Sequence, residues 1–211
     1  MANAAKNKGD QAERDAVRYL QDLCPDLCLP KAKRMLGAGR AEDVGDLYVF
    51  ADTAIQVRAY RIESLGAAVR SSARDSIVQA GHGDMDFALG MVPFPRARAG
   101  TVKWLAAVEP DAWPGGRTAW PIEPIPFALI SKALTWLRDD AGPHGFMAYP
   151  REHRLALLTG GNAADVLVAP FEAWLRAYRA ATGRQVPLAV PDTVGIDDGL
   201  DDFDFDQPLS A

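Results

Sequence analysis

The sequence predicts an α/β protein with a mixed central sheet that is flanked by helices. Three observations support this: apolar residues recur at helical spacing in several stretches, short β-rich runs lie between these stretches, and the order begins helix, strand, strand, helix, strand, strand. Such an order favours a sheet covered by helices over a helical bundle or a sandwich. With 211 residues, of which 48% are hydrophobic and 24% charged, the chain is long enough for one well-filled core.

The first half of the chain supplies those six elements. Helical spacing of alanine, leucine and tyrosine predicts a first helix that closes before Pro25, and Ser64 and Gly81 suit the N-cap and the end of a second helix. A basic connector and a glycine-rich loop separate the first helix from the strands. The predicted elements are a helix over residues 9–23, strands over 46–50 and 54–60, a helix over 64–81, and strands over 87–92 and 102–108.

The second half of the chain begins with a change of composition. Five prolines and two tryptophans fall within residues 110–126, so we expect no regular structure there. Further on, the patterns predict a helix over 127–139, strands over 146–149, 155–158 and 166–168, and a helix over 170–181 that starts with a proline. An aspartate-rich stretch over 197–206 then predicts a solvated tail or an interaction segment.

The charge is unevenly distributed along the chain. The formal net charge is −5, but residues 1–103 hold 15 Lys and Arg against 13 Asp and Glu, whereas residues 104–211 hold 8 against 15. The first half can therefore present a locally basic face to phosphates. No apolar run approaches the length of a membrane helix, and the first residues do not resemble a signal peptide, so we expect no membrane partner and a cytoplasmic address.

One constellation in the first half points to phosphodiester chemistry. Hydrolysis assisted by magnesium needs carboxylates that hold the ion and a cation that neutralises developing charge. Asp46 opens the first predicted strand, and the second carries Gln56-Val57-Arg58, whose outer members share one face because side chains alternate along a strand. The geometry suits a nuclease site, although the charges are incomplete.

These stretches resemble a known family. NKGDQAERDAVRYL, GAGRAEDVGDLYV and AIQVRAYRIESLGAAV are similar to segments of the Holliday-junction-resolvase-like nucleases of actinobacterial phages, within the PD-(D/E)xK superfamily. The resemblance covers roughly residues 7–108 and implies a restriction-endonuclease-like fold. It implies catalytic roles for Glu13, Asp46, Gln56 and Arg58, with Asp46 and Gln56 as metal ligands. The implied division is a nuclease-like α/β domain over 1–108, a proline-rich connector over 109–126, a C-terminal α/β elaboration over 127–190 and an acidic tail over 191–211.

The sequence departs from the family pattern at two positions. Gln56 stands where the family has glutamate, which removes a negative charge from the metal site. Arg58 stands where the family has lysine, and its planar guanidinium group is permanently charged. We therefore expect no cofactor, or weakly bound Mg²⁺. Each residue also has an ordinary interpretation: Asp46 as a turn cap, Glu13 as a solvated helix acid, and Gln56 with Arg58 as a polar pair on an edge strand.

Two functional hypotheses follow. In the first, the protein is a catalytically degenerate nuclease with a DNA-associated or phage assembly role, for example at the head-to-tail connector of a virion; its partners would be further copies of itself and other phage structural proteins. In the second, it is an active metal-dependent endonuclease that cleaves branched DNA as a dimer.

The chemistry of further polar side chains suggests binding roles for them. Basic side chains around the constellation suit a groove that follows double-stranded or branched DNA, although scattered surface cations are the ordinary alternative. His82, Asp84 and Asp86 suit either a metal or, more commonly, a loop after a helix end. The residues of the predicted DNA-facing patch are Lys31, Lys33, Arg34, Arg40, Arg61, Arg96 and Arg98.

Overall fold

Among the described residues, four helices pack against an eight-stranded mixed sheet, which confirms the predicted α/β class. The computed structural model describes residues 4–35, 45–95, 102–138, 150, 153–160 and 164–184. The helices are α1 (Ala4–Leu23), α2 (Leu65–His82), α3 (Ile130–Arg138) and α4 (Phe171–Thr182). The strands are β1 (Lys33–Arg34), β2 (Leu47–Tyr48), β3 (Thr53–Val57), β4 (Phe87–Pro93), β5 (Trp104–Val108), β6 (Ile125–Phe127), β7 (Ala156–Leu158) and β8 (Val166–Pro170).

The strand order across the sheet is β1-β2-β3-β4-β5-β8-β7-β6. The pairs β3/β4 and β6/β7 are parallel, and the other five pairs are antiparallel. The parallel pair β3/β4 is connected through α2, as a parallel crossover requires. The strands of the second half of the chain therefore extend the sheet that the first half begins.

Each face of the sheet carries its own apolar layer. Strand β5 illustrates the alternation: Trp104, Ala106 and Val108 pack with α1 and α4 on one face, whereas Leu105 and Ala107 pack with α2 and α3 on the other. All five residues of β5 are buried, as expected for a strand covered on both sides.

Gly90 sets how closely α2 lies against the sheet. A Cβ atom at this position would lie 2.6 Å from Ser72 Oγ, 2.7 Å from the Ser72 carbonyl carbon and 2.8 Å from the Ala107 oxygen. These distances are shorter than real Cβ contacts, so only glycine allows this approach. Because Gly90 is the register partner of Gln56, the close approach also fixes the distance between α2 and the candidate site.

The helices over 9–23, 64–81, 127–139 and 170–181 and the strands over 87–92, 102–108, 155–158 and 166–168 were predicted close to their observed positions. The strands over 46–50 and 54–60 are shorter than predicted. Ser64 precedes α2, but its hydroxyl donates to the Arg61 oxygen, because a 3-10 turn leads into the helix there. The predicted strand over 146–149 and the acidic tail lie outside the described residues.

The expectation of no regular structure in residues 110–126 was wrong. Two 3-10 turns, Pro110–Ala112 and Arg117–Ala119, are followed by strand β6. Pro126 is tolerated because β6 lies at the edge of the described sheet, where a strand does not need every N–H donor. Among the described residues, no helix is both long and apolar enough to cross a membrane.

Candidate active site

The backbone around Asp46 is held from both sides. Its N–H donates to the Ile55 oxygen at 2.9 Å, and its carbonyl accepts from the Met35 N–H at 2.7 Å. Gly45 before it adopts φ 114°, and a Cβ there would lie 2.9 Å from the Ile55 oxygen. A glycine at this position therefore lets the Asp46 side chain turn toward β3.

The Asp46 carboxylate contacts the residues that the sequence placed beside it. Its Oδ2 atom accepts hydrogen bonds from the Val57 N–H at 2.9 Å and from the Gln56 side-chain amide. Arg58 Nη1 lies 3.8 Å from the same oxygen. Asp46, Gln56 and Arg58 therefore form one contiguous group, which we call the Asp46 cluster.

Gln56 is the buried member of the Asp46 cluster. It is only 1% exposed and lies on the same face of β3 as Ala54, which packs against Ala80 of α2. Its Nε2 donates to Asp46, whereas its Oε1 is buried and has no hydrogen-bond partner among the described residues. The amide thus presents its donor to the carboxylate and leaves an acceptor unsatisfied.

Asp75 on α2 is part of the site, and sequence reasoning missed it. Arg58 Nη2 donates to Asp75 Oδ2 at 2.8 Å, and Arg74 Nη2 lies 2.8 Å from Asp75 Oδ1. Burial alone would raise the pKa of Asp75, but the hydrogen bonds from both arginines outweigh burial and lower it. The polar face of α2 is the signal that could have revealed Asp75. Ser72, one turn before Asp75, and Ser76, the next residue, are fully buried on that helix.

The ionic groups of the site balance one another. Among the described residues, Asp46 and Asp75 contribute two negative charges and Arg58 and Arg74 two positive charges, so the charges of these four side chains cancel. A divalent ion prefers a site with several free anionic or carbonyl oxygens. Here Asp46 Oδ2 already accepts two hydrogen bonds, and Gln56 turns its NH₂ toward it, so these residues do not fit Mg²⁺ as arranged.

Glu13 lies elsewhere on the scaffold. The buried side of α1, with Ala16 and Leu20, packs on the face of the sheet that carries Ile55, opposite the face of Gln56. The Glu13 carboxylate accepts a hydrogen bond from Arg34 Nε. The structure thus brings Asp46, Gln56 and Arg58 together and ties Glu13 to β1.

Some cations of the predicted DNA-facing patch are already engaged within the protein. Arg34 pairs with Asp10 as well as with Glu13, and only 20% of its side chain is exposed. By contrast, Lys31, Lys33 and Arg61 are exposed. Arg40, Arg96 and Arg98 lie outside the described residues.

The His82 to Asp86 stretch forms the turn between α2 and β4. His82 is the last residue of α2, and Asp84 adopts a left-handed φ of 50°. Within the described ranges, no three histidine, cysteine, aspartate or glutamate side chains group together in a way that could hold a metal ion. A structural role in the turn accounts for these residues.

Comparisons of the chain with protein-family models, with curated proteins and with solved structures found no match.

Proposed function

We propose that this protein is a catalytically degenerate nuclease-fold protein that associates with DNA, or serves in phage assembly, without cleaving DNA. The observation that carries the proposal is the neutralised Asp46 cluster. The carboxylate that would be the principal metal ligand is bound by a backbone N–H and a glutamine amide, and an arginine lies 3.8 Å away. A positive guanidinium so close to the carboxylate disfavours binding of a divalent cation.

The restriction-endonuclease-like fold is part of the same proposal. In its support, the described chain runs through a helix, three antiparallel strands, a second helix and a strand parallel to the third. Asp46 directly precedes β2 and Gln56 lies on the adjoining strand β3, the two places at which the family resemblance implies metal ligands.

Association with DNA is supported by the cations that stay exposed. Lys31 and Lys33 lie at β1, and Arg61 follows β3, so three exposed positive charges flank the strands beside the cluster. Contacts of lysine and arginine with phosphates supply most of sequence-independent DNA affinity. The assembly role at a head-to-tail connector, with further copies and other phage proteins as partners, follows from the resemblance to phage nucleases alone.

The decisive experiment compares cleavage and metal binding. Purified protein is incubated with a labelled four-way DNA junction and Mg²⁺ or Mn²⁺, and Mg²⁺ binding is measured by titration calorimetry. We expect junction binding without cleavage and no measurable Mg²⁺ binding. Cleavage by the unaltered protein that Asp46→Ala abolishes would overturn the proposal.

A double variant tests whether Gln56 and Arg58 account for the proposed loss of Mg²⁺ binding. Gln56→Glu with Arg58→Lys restores the charge pattern of the family, so we expect Mg²⁺ binding to appear. The matched control is Gln21→Glu with Arg18→Lys, an exposed glutamine and arginine on α1. Equal gains of Mg²⁺ binding in both double variants would contradict a specific effect at the cluster.

One observation favours the second candidate function, metal-dependent cleavage of branched DNA. The buried Gln56 Oε1 has no partner among the described residues, and an amide oxygen is a ligand that Mg²⁺ accepts. Rotation of the amide would turn this oxygen toward Asp46 and create repulsion that a cation would relieve. The cleavage assay above separates the two functions.

A further inference from the structure

A cavity of about 560 Å³ opens at the end of the sheet where β3 and β4 finish and β5 begins. Its apolar lining includes the aromatic side chains of Tyr60, Phe94 and Trp104. Helix α1 contributes three polar side chains to the lining, Lys8, Gln11 and Asp15, and the Gln11 amide donates to the Asp15 carboxylate at 2.8 Å. Cavities of this volume with apolar walls and a few polar groups are typical of sites for small organic molecules.

The walls of the cavity are fixed by contacts within the protein. Tyr60 Oη donates to the Pro93 oxygen at 2.8 Å, which holds the ring in place. Lys8 Nζ donates to the Tyr60 carbonyl and lies 5.9 Å from the centre of the Tyr60 ring. On the other side, Arg138 lies 5.1 Å above the Phe94 ring. The aromatic surface is thus formed in the free protein, so a ligand would not have to order it.

We propose that this cavity receives one unpaired nucleotide of a DNA strand, with the base against Tyr60 and the phosphate toward Lys8. The inference rests on the DNA association proposed above and identifies where DNA would be held. Bases stack on aromatic side chains whatever their sequence, and a lysine beside the stacking surface supplies the charge that a phosphate needs. Lys8 keeps donors free for a phosphate, because an ammonium group has three.

The position of the cavity favours this occupant over an unrelated small molecule. Tyr60 follows Arg58 by two residues, so its backbone lies within roughly 7 Å of that of Arg58. Arg61, the next residue, is exposed and adds a positive charge at the same edge of the sheet. Arg58 of the Asp46 cluster and the cavity therefore lie at the same end of β3.

The test uses single-stranded and four-way-junction DNA that carry the fluorescent base 2-aminopurine at an unpaired position. Stacking on an aromatic side chain quenches this fluorescence, so we expect a fall in emission when the full-length protein binds. Tyr60→Leu should remove the quenching and weaken binding by at least about fivefold, whereas Tyr60→Phe should retain both. Lys8→Met should weaken binding and reduce its dependence on salt.

Two control variants lie away from the cavity. Phe127→Leu removes a half-buried ring from β6 at the other end of the described sheet, and Lys132→Met removes an exposed lysine from α3. Both should leave quenching and affinity unchanged. Circular dichroism and the thermal midpoint of each variant show that it is folded.

Three results would overturn the inference. Binding of DNA without a fall in emission would show that the base is not held in the cavity, while the proposed DNA association would stand. Equal losses of affinity in Tyr60→Leu and Phe127→Leu would indicate that the effect is not specific to the cavity. No binding to either DNA would overturn both the cavity and the DNA association. Cleavage of the junction, in contrast, would overturn only the catalytic degeneracy.

Discussion

Replacement of Gly90 by alanine tests how closely α2 must approach the sheet. The added methyl group would lie 2.6 Å to 2.8 Å from atoms of Ser72 and Ala107, whereas ordinary van der Waals contact begins at 3.4 Å. The backbone carbon of Ser72 and the oxygen of Ala107 cannot rotate away. Both helix α2 and strand β5 would therefore have to withdraw, by about 0.7 Å and about 0.6 Å.

Overpacking of this kind lowers the free energy of unfolding by about 2 to 3 kcal/mol. For a chain of this length, the thermal midpoint should fall by roughly 4 to 12 °C. The withdrawal would also lengthen the contact between Arg58 and Asp75, because Asp75 lies one turn along α2 from Ser72.

Urea and thermal unfolding, followed by circular dichroism, measure the effect. Gly9→Ala is the matched control, since Gly9 lies inside α1 and a Cβ there meets nothing within 4 Å. This control should stabilise the protein by about 0.5 to 1 kcal/mol. If Gly90→Ala were as stable as the unaltered protein, the close approach of α2 and the sheet would be refuted.

Two further predictions concern single polar groups. Tyr178→Phe removes a hydroxyl that donates to Asp52 at 2.6 Å, so the free energy of unfolding should fall by about 1 to 2 kcal/mol. Urea titration measures the effect, and an unchanged midpoint of urea unfolding would contradict the prediction. Asp75 has a pKa below its ordinary value of 3.8, because hydrogen bonds including that from Arg58 outweigh burial. The stability that Asp75 adds relative to Asp75→Asn should therefore be present above about pH 4 and disappear as the pH falls further; a difference that stays constant down to pH 2 would exclude this linkage.

Elements with strong local signals were predictable from the sequence. Helices α1, α2 and α4 follow apolar residues at helical spacing, and β4, β5 and β8 are continuous apolar runs. Strands β1 and β6 were missed because one is two basic residues and the other contains Pro126. Such strands form because a neighbouring strand offers hydrogen-bonding groups, and a local pattern does not contain that information.

The candidate site was predictable where two residues share a pair of strands. Gln56 contacts Asp46 because only nine residues separate them, and a short strand, a turn and a second strand leave the chain little conformational freedom. Asp75 was missed because its contact with Arg58 depends on how α2 crosses the sheet. The pairing of Glu13 with Arg34 was missed for the same reason, because it depends on how α1 packs over β1.

The two ends of the described sheet differ from its centre in a way that bears on self-association. Strand β1 exposes lysine at one margin, and β6 carries a proline at the other. Charged and proline-containing edge strands resist edge-to-edge pairing with a strand of another chain, which is a route to fibrous aggregates. A homo-oligomer of this protein should therefore assemble through helices or loops, and concentrated solutions should not develop thioflavin fluorescence.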